Sequence, residues 1–473
     1  MKNYMTKEIN MKTAKELKNE LFYDKKSVYE LTSKENVEAA YKYSVGYKSY
    51  LDAAKTEREA VKASISMAEK AGFKPYTLGQ PLSVGDKLYY NNRGKSLFLF
   101  TVGSESIENG IRISAAHIDS PRLDFKPCPV FEDSRMAFFK THYYGGIKKY
   151  QWVTIPLALH GVVTLKDGTN VEINIGEDEG DPLFYINDIL PHLGQNQAKK
   201  TLGEAIEGEQ LNILAATSPY STEDEGEQIK LNLLALLNEK YGIKEADFIS
   251  AEISAVPADK ARDIGLDRAA IISYGHDDRV CSYPALTSVI DNADSAHTLM
   301  CVLADKEEIG SDGASGMKSS IFPDLIDEIA KALGGDPAVV RANSKCLSAD
   351  VSAAYDPNFK DAFEKRNTPE LSCGVVLIKY TGARGKSGTN DANAEYIGWL
   401  RGIMEKDNVI WQTGELGKID LGGGGTVAKY IANLNIDTVD LGVPVISMHA
   451  PHELISKVDL YETYKAFSAF CKY

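Results

Sequence analysis

The chain has 473 residues, 43% of them hydrophobic, so it is long enough to bury a large core and is expected to fold as two domains. Its 67 acidic residues outnumber its 53 basic residues and give a net charge of −14, which argues against nucleic acid and anionic membranes as partners. The N-terminal segment lacks the apolar core of a secretory signal, and no apolar stretch approaches the roughly 18 residues of a membrane span.

The cysteines are scattered along the chain and include no CxxC pair. Most lie in apolar segments, which favours buried free thiols in a reducing compartment. They are Cys128, Cys281, Cys301, Cys346, Cys373 and Cys471. We therefore expect a cytoplasmic protein.

The first part of the chain predicts helices followed by strands. Residues 1 to about 75 are rich in Lys, Glu and Ala with apolar residues at helical spacing, which is typical of helices on a domain surface. The runs SLFLFTVG (96–103) and IRISAAH (111–117) then predict two strands, and the second ends at His117.

From about residue 125 the pattern becomes β-rich. The run GVVTLKDGTNVEINIG (161–176) predicts a hairpin that turns at Asp167–Gly168. Residues 176–235 are polar, acidic and loop-rich. We interpret residues 125–268 as an insert in a larger domain formed by residues 1–124 and 269–473.

After residue 269, apolar runs that end in polar or acidic turns alternate with helical segments such as SSIFPDLIDEIAKALGG (319–335). The apolar runs lie in AAIISYGHDD, TLMCVLADKEE, CLSAD, CGVVLIKYTG and PVISMHAP. This alternation predicts an α/β fold, in which ligands bind beyond the carboxyl ends of the strands.

Five short motifs place histidine or carboxylate at the ends of such runs. They are His117 in AAHIDSPRL, Asp277 in GHDDR, Glu307–Glu308 in LADKEEIGS, Asp350 in CLSADVS and His449 in VISMHAPHE. Imidazole and carboxylate together are the ligands of a two-zinc hydrolytic site, with one further carboxylate as the general base.

Neighbouring residues refine this hypothesis. Asp119 lies two residues beyond His117, on the same face of a strand, where its carboxylate can orient the imidazole. Adjacent Glu307 and Glu308 are either a solvated pair or a metal ligand beside a general base. Asp277 is preferred to Asp278 as the bridging carboxylate because it follows directly from the strand. We expect His276 to point away from the site.

The run DLGGGGTVAKYIA (420–432) has four consecutive glycines before a predicted helix. Backbone N–H groups at Gly423 and Gly424 are candidates to bind a substrate carbonyl or carboxylate. The same run is equally compatible with a tight turn between a strand and a helix. The glycines of GARGKSGT (382–389) are too close together for a phosphate-binding loop.

Taken in order, these motifs resemble the aspartyl aminopeptidase and vacuolar aminopeptidase I family of dinuclear zinc exopeptidases. The blocks that carry the resemblance are AHIDSPRL, DKEEIGSDGASG, LSADVSAAYDPNF, GGGGT and SMHAPHE, and the likeness extends from about residue 20 to the end of the chain. It implies a three-layer α/β catalytic domain interrupted by a β-rich dimerisation domain at 125–268. It also implies dimers that assemble into a tetrahedral dodecamer.

The resemblance implies two Zn²⁺ ions per subunit. His117 and His449 resemble the terminal histidine ligands, and Asp277 resembles the bridging carboxylate. Glu308 and Asp350 resemble the remaining ligands. The same ligands also accept Co²⁺ or Mn²⁺.

Further matches concern catalysis and substrate binding. Glu307 resembles the general base, and Asp119 resembles the residue that orients His117. His192 in PHLG resembles a histidine that reaches the active site of a neighbouring subunit, where it would stabilise the oxyanion. Lys379 in VLIKYTG resembles a lysine near the substrate pocket; on its own, it would be an ordinary lysine at the end of a strand.

The function implied is metal-dependent removal of the N-terminal residue from peptides. Aspartyl-specific members carry two histidines where this chain has Ala353 and Asp356, so we expect neutral or basic first residues to be preferred. Two alternatives remain open from the sequence. One is a dinuclear zinc deacylase of N-acyl amino acids, and the other is a largely non-catalytic, self-assembling scaffold.

Overall fold

A computed structural model describes residues 12–223 and 226–473. The first eleven residues of the predicted helical N-terminal region lie outside the described residues. No helix in the described part of the chain is long and apolar enough to span a membrane.

The elements follow one another in a mixed α/β order. The helices are α1 (Ala14–Leu21), α2 (Val28–Leu31), α3 (Lys34–Ala53), α4 (Glu57–Lys70), α5 (Leu202–Ala205), α6 (Gln228–Tyr241), α7 (His276–Asp291), α8 (Ile321–Ala332), α9 (Pro337–Asn343), α10 (Ala394–Lys406), α11 (Ala428–Ala432) and α12 (Lys457–Lys472). The strands are β1 (Lys74–Pro75), β2 (Lys87–Asn92), β3 (Ser96–Thr101), β4 (Ile111–His117), β5 (Arg122–Asp133), β6 (Met136–Tyr144), β7 (Leu157–Thr164), β8 (Asn170–Ile175), β9 (Tyr185–Ile186), β10 (Ile213–Ala216), β11 (Ala251–Pro257), β12 (Arg262–Ile264), β13 (Ala270–Ser273), β14 (Thr298–Ala304), β15 (Lys345–Ser348), β16 (Ser352–Ala353), β17 (Val375–Ile378), β18 (Trp411–Thr413), β19 (Asp437–Gly442), β20 (Pro444–Ile446) and β21 (Glu453–Ser456).

The central sheet has nine strands in the order β1-β2-β3-β14-β4-β15-β19-β17-β18. Its middle strands β14, β4, β15 and β19 are parallel to one another. Every residue of β3, β4 and β14 is buried, which explains why β3 and β14 are nearly continuous apolar runs in the sequence rather than alternating ones.

Helices cover both faces of the central sheet and give three layers. Leu97 and Leu99 of β3 pack into a core with α3, α4, α7, α10 and α12. Phe98 and Phe100, which point to the opposite face, pack against α8, α9 and α11. The predicted α/β fold is confirmed.

The second sheet has seven antiparallel strands in the order β8-β7-β11-β5-β6-β10-β9 and encloses a core of its own around Trp152. All of its strands lie between Arg122 and Pro257. The predicted hairpin is confirmed as β7 and β8, with Gly168 at a φ of +88° in the turn. The boundaries at 125 and 268 and the dimerisation role remain predictions.

The third sheet has five strands in the order β12-β13-β21-β20-β16. It corrects one expectation, because Asp277 does not follow directly from the strand before it. Strand β13 ends at Ser273, and Asp277 lies in the first turn of α7. Gly275, at a φ of +74°, makes this turn, and a Cβ there would lie 1.8 Å from Nη1 of Arg279, so another residue would be strained and would displace the buried guanidinium.

Candidate metal centre

Three neighbouring parallel strands bring part of the predicted site together. In the order β14-β4-β15, they end at Ala304, His117 and Ser348, and Ala304 is paired with His117. Glu307 and Glu308 follow β14 on a short 3₁₀ turn, and Asp350 follows β15. The expectation that strand ends gather these side chains is met here, because parallel strands end at the same edge of a sheet.

Asp277 lies between two imidazoles. Its Oδ1 atom is 3.2 Å from Nε2 of His117, and its Oδ2 atom is 3.1 Å from Nε2 of His449. Asp350 Oδ1 lies 3.8 Å from Nε2 of His117, and Glu308 Oε2 lies 3.5 Å from Nε2 of His449. Two groups of donors therefore share one carboxylate.

Both histidines present the same ring nitrogen to the site. Nδ1 of His117 donates to the backbone carbonyl of Asp119 at 3.0 Å, and Nδ1 of His449 donates to the carbonyl of Gly146 at 2.8 Å. Because a carbonyl only accepts, a proton is assigned to Nδ1 of each ring, which leaves Nε2 as the nitrogen that faces the carboxylates and could bind a cation.

Two glycines of the YYGGIKK segment (143–149) allow this close approach. A Cβ on Gly145 would lie 3.2 Å from Oε2 of Glu308, and one on Gly146 would lie 3.4 Å from Nδ1 of His449. Sequence analysis missed both residues. The only signal was a glycine pair after a β-prone run, which is also typical of an ordinary turn.

Asp119 holds several parts of the site at once. Its carboxylate accepts the N–H of Glu307 at 3.1 Å, the N–H of Glu308 at 3.2 Å and the hydroxyl of Tyr144 at 2.7 Å. The His117 ring contacts the carboxylate more weakly, with Nδ1 at 3.4 Å from Oδ1. Asp119 therefore positions the Glu307–Glu308 turn as well as His117.

The two adjacent glutamates have different surroundings. Glu308 lies within ion-pair distance of His449, whereas the Glu307 carboxylate lines a cavity and has no side-chain hydrogen bond or ion pair among the described residues. The pKa of Glu307 is raised to about 8. Burial is the largest cause, positive charge on His117 opposes the rise, and negative charge on Asp350 adds to it. Burial and the charge of Asp277 raise the pKa of Glu308 as well.

The donor set fits zinc. Two groups, His117–Asp277–Glu308 and His117–Asp278–Asp350, each bring their donor atoms within 4.8 Å of one another. The buried atoms Asp277 Oδ1 and Glu308 Oε1 accept no hydrogen bond among the described residues, so they are available to a cation.

Asp278 was not predicted as a ligand. Its Oδ2 atom accepts the N–H of His117 at 3.3 Å, so part of its carboxylate holds the strand end. His276 has no free nitrogen, because Nδ1 bonds the hydroxyl of Tyr47 at 2.7 Å and Nε2 lies 3.2 Å from the carbonyl of Ile271. Burial lowers the pKa of His276 to about 3, so its ring is neutral.

A cavity of about 490 Å³ opens onto the donor set. Its walls include four residues of that set, Asp277, Glu308, Asp350 and His449, together with Glu307. Gly423 and Gly424 also line it, and a Cβ on Gly423 would lie 2.0 Å from the carbonyl oxygen of Gly382. The glycine run is thus both a cavity wall and a tightly packed turn.

Two predicted residues lie away from this cavity within the chain. Lys379 does not line it, although Ile378 and Thr381 do; the Lys379 ammonium pairs with Asp391 instead. His192 is exposed on a turn in the segment that connects β9 to β10 of the second sheet. Ile378 is the last residue of β17, and its side chain faces the cavity. Because successive side chains along a strand point to opposite faces, the side chain of Lys379 points away from the cavity.

One buried carboxylate that sequence analysis missed connects two ligand segments. Glu453 is 2% exposed and begins β21, which lies between β13 and β20 in the third sheet. Its Oε2 atom accepts the N–H of Asp277 at 3.1 Å, and its Oε1 atom accepts the N–H of His449 at 2.9 Å. The backbone of His449 has a φ of +64°, which residues other than glycine rarely adopt.

Comparison with known proteins gives a consistent result. The family model "Aminopeptidase I zinc metalloprotease (M18)" matches residues 50–471. A "Probable M18 family aminopeptidase 1" from Clostridium acetobutylicum is 47% identical over 460 residues, covering 96% of this chain and 99% of that protein.

Solved structures agree. The crystal structure of an M18-family aminopeptidase from Thermotoga maritima has a TM-score of 0.91 at 43% identity, covering 95% of this chain and 100% of that one. Aminopeptidase I from Clostridium acetobutylicum has a TM-score of 0.90 at 42% identity, with coverages of 96% and 100%. The yeast mApe1 dodecamer, at 20% identity and a TM-score of 0.74, covers 92% of this chain and 97% of its own and shows likeness of fold alone.

Replacing Glu453 with glutamine is expected to weaken zinc binding by about 10- to 100-fold, as is usual for residues that hold metal ligands. Glutamine offers one acceptor oxygen, so one of the two N–H groups would face an amide N–H. Zinc affinity measured by competition with a chelator, with circular dichroism to verify folding, tests this.

Asp459→Asn is the matched control. Asp459 is also fully buried and accepts two backbone N–H groups, from Ser372 and Gly374, both at 2.7 Å. This variant should lose stability and keep zinc affinity. Equal zinc affinity in Glu453→Gln and the unaltered chain would contradict a positioning role for Glu453.

Proposed function

The chain belongs to the M18 family of aminopeptidase I zinc metalloproteases, and we propose that this aminopeptidase works with two zinc ions held around Asp277. The observation that supports a pair of ions is the separation of the two Asp277 oxygens, one toward His117 and one toward His449. The family match favours neither the deacylase nor the scaffold alternative.

We assign His117 and Asp350 to one ion, His449 and Glu308 to the other, and Asp277 to both. The distances between these donors support the division. When bound, such ions polarise the scissile carbonyl and make the attacking water more acidic. Co²⁺ or Mn²⁺ could occupy the same donors.

Glu307 is the proposed general base. Its carboxylate faces the cavity without a competing partner among the described residues, while Asp119 holds its backbone N–H at 3.1 Å. As the water oxygen attacks the carbonyl carbon, Glu307 takes the proton. It then gives that proton to the leaving nitrogen as the C–N bond breaks.

The cavity also supports a requirement for a free N-terminus. Four carboxylates line it, at Asp277, Glu307, Glu308 and Asp350, and the ions that they would hold offset their charge. Such an ion would accept the lone pair of a free α-amino group, which an acylated nitrogen does not offer, so the first peptide bond, rather than an internal one, would lie beside Glu307.

A preference for neutral or basic first residues is part of the proposal. The Oδ1 atom of Asp356 accepts the backbone N–H of Asn358 at 2.8 Å, and the side chain of Ala353 carries no charge. Apolar side chains of Ile378, Leu416 and Met448 line the cavity. None of these groups attracts an acidic side chain.

Assembly into a homo-oligomer, as dimers and then a tetrahedral dodecamer, is also proposed. The segment that carries His192 exposes apolar side chains, with Leu183 57% and Leu193 69% exposed, and surfaces of this kind are typical of protein contacts. In such a contact, His192 would reach the cavity of a second copy and stabilise the oxyanion. A cytoplasmic location is consistent with all six cysteines being free thiols.

Glu307→Gln is expected to lower kcat about 10²- to 10⁴-fold, because it removes the base, while zinc content is retained. Glu308→Gln is the matched comparison, since the same change one residue on removes a proposed ligand and should lower zinc content. Kinetics on a leucine peptide and elemental analysis measure both. Substantial turnover by zinc-loaded Glu307→Gln would exclude Glu307 as the base.

Leucine and lysine p-nitroanilides are expected to be cleaved with a kcat/KM at least about 10-fold above that of the aspartate p-nitroanilide. The variant carrying Ala353→His and Asp356→His should move the ratio toward aspartate by adding groups that can bind a carboxylate. A strong aspartate preference of the unaltered chain would refute the proposed specificity.

Co-expression tests the contribution of His192 across subunits. Glu307→Gln and His192→Ala assemblies should each be weakly active. A mixed assembly should recover activity, because some sites combine His192 of one chain with Glu307 of the other. If His192 acted within its own chain, mixing would give only the average of the two parents.

A further inference from the structure

Lys429 is the one lysine or arginine among the described residues that line the cavity. Its side chain is half-buried, and its Nζ atom forms no hydrogen bond or ion pair with any residue in the described ranges. The ammonium lies 4.8 Å from the ring centre of Tyr430, and a Cβ on Gly425 would lie 3.2 Å from it. A cation is thus held in the cavity wall with no protein carboxylate to neutralise it.

Lys429 lies on a different wall from the carboxylates. It belongs to α11, whereas the acidic donors follow β14 and β15 or begin α7. The hydroxyl of Tyr430 donates to the carbonyl of Gly310 at 3.3 Å, which ties the α11 wall to the turn that carries Glu307. The cavity therefore has an acidic side and one separate positive group.

A short peptide has two ends that suit these two walls. Its α-amino group suits the side that carries the proposed metal ligands, and its terminal carboxylate suits an ammonium that has no ion pair among the described residues, with which it can form a charge-assisted hydrogen bond. The cavity volume of about 490 Å³ is in the range that encloses a small ligand, so both termini of a very short peptide fall inside it.

We propose that Lys429 binds the C-terminal carboxylate of dipeptide and tripeptide substrates and makes them preferred over longer or amidated peptides. This inference rests on the proposed aminopeptidase function. The other source of a carboxylate is the side chain of an acidic first residue. That side chain branches from the carbon that bears the α-amino group and therefore lies on the side of the proposed ligands Asp277, Glu308 and Asp350. The terminal carboxylate lies further along the peptide, so it is the better match for a cation on the separate wall.

The test compares kcat/KM for Leu-Gly, Leu-Gly-amide, leucine p-nitroanilide and aspartate p-nitroanilide in the zinc-loaded full chain. The unaltered protein should favour Leu-Gly over its amide. In Lys429→Met, the ratio of the two should fall about 10-fold, mainly through KM, as expected for loss of one charge-assisted hydrogen bond. Lys429→Arg, which keeps the charge, should retain most of the ratio.

Lys318→Met is the matched control. The Lys318 ammonium lies 5.6 Å from the same Tyr430 ring, but it pairs with Asp312 at 2.7 Å and does not line the cavity. Its Leu-Gly to amide ratio should match that of the unaltered chain.

Three results would overturn the inference while leaving the aminopeptidase function intact. They are equal cleavage of Leu-Gly and its amide by the unaltered chain, an equal loss on every substrate in Lys429→Met, and a selective loss on aspartate p-nitroanilide. The last result would assign Lys429 to the first side chain. Failure of the unaltered chain to cleave any of the four substrates would overturn the proposed function and this inference together.

Discussion

The site depends on gathering buried carboxylates around two imidazoles. Burial is the largest cause of the raised pKa of Glu307, Glu308 and Asp350, and the charges of neighbouring carboxylates add to the rise at each of them. The pKa of Asp277, which lies beside His117 and His449, is lowered despite its burial, and so is the pKa of Asp119, which lies beside His117 and the hydroxyl of Tyr144. Such crowding is costly in a protein interior unless cations offset the charge, so the rest of the structure must hold these groups in place.

All three sheets contribute to that rigidity. The central sheet supplies three neighbouring strand ends, and the third sheet supplies Glu453, whose carboxylate holds the backbone at Asp277 and His449. The second sheet and its connection supply Tyr144 and the Gly146 carbonyl, which fix Asp119 and the His449 ring. Residues of the predicted insert therefore contribute to the candidate metal centre within one chain.

The sequence predicts the ends of buried strands well, because fully apolar runs followed by acidic turns indicate both the strand and its functional edge. His117, the Glu307–Glu308 pair and Asp350 were found in this way. Glu453 was not, because a carboxylate that accepts backbone N–H groups has no sequence pattern, and its position depends on how β21 pairs with β13 and β20. Lys429 was missed because the orientation of a five-residue helix after a glycine run cannot be read from its composition.

The two-zinc site is tested most directly by the zinc content of the purified chain, measured together with cleavage of free and N-acetylated leucine peptides before and after chelation and zinc re-addition. We expect two zinc ions per chain and restored cleavage of the free peptide only. One ion per chain at full activity would contradict the shared role of Asp277. Efficient cleavage of the acetylated peptide would contradict recognition of a free α-amino group.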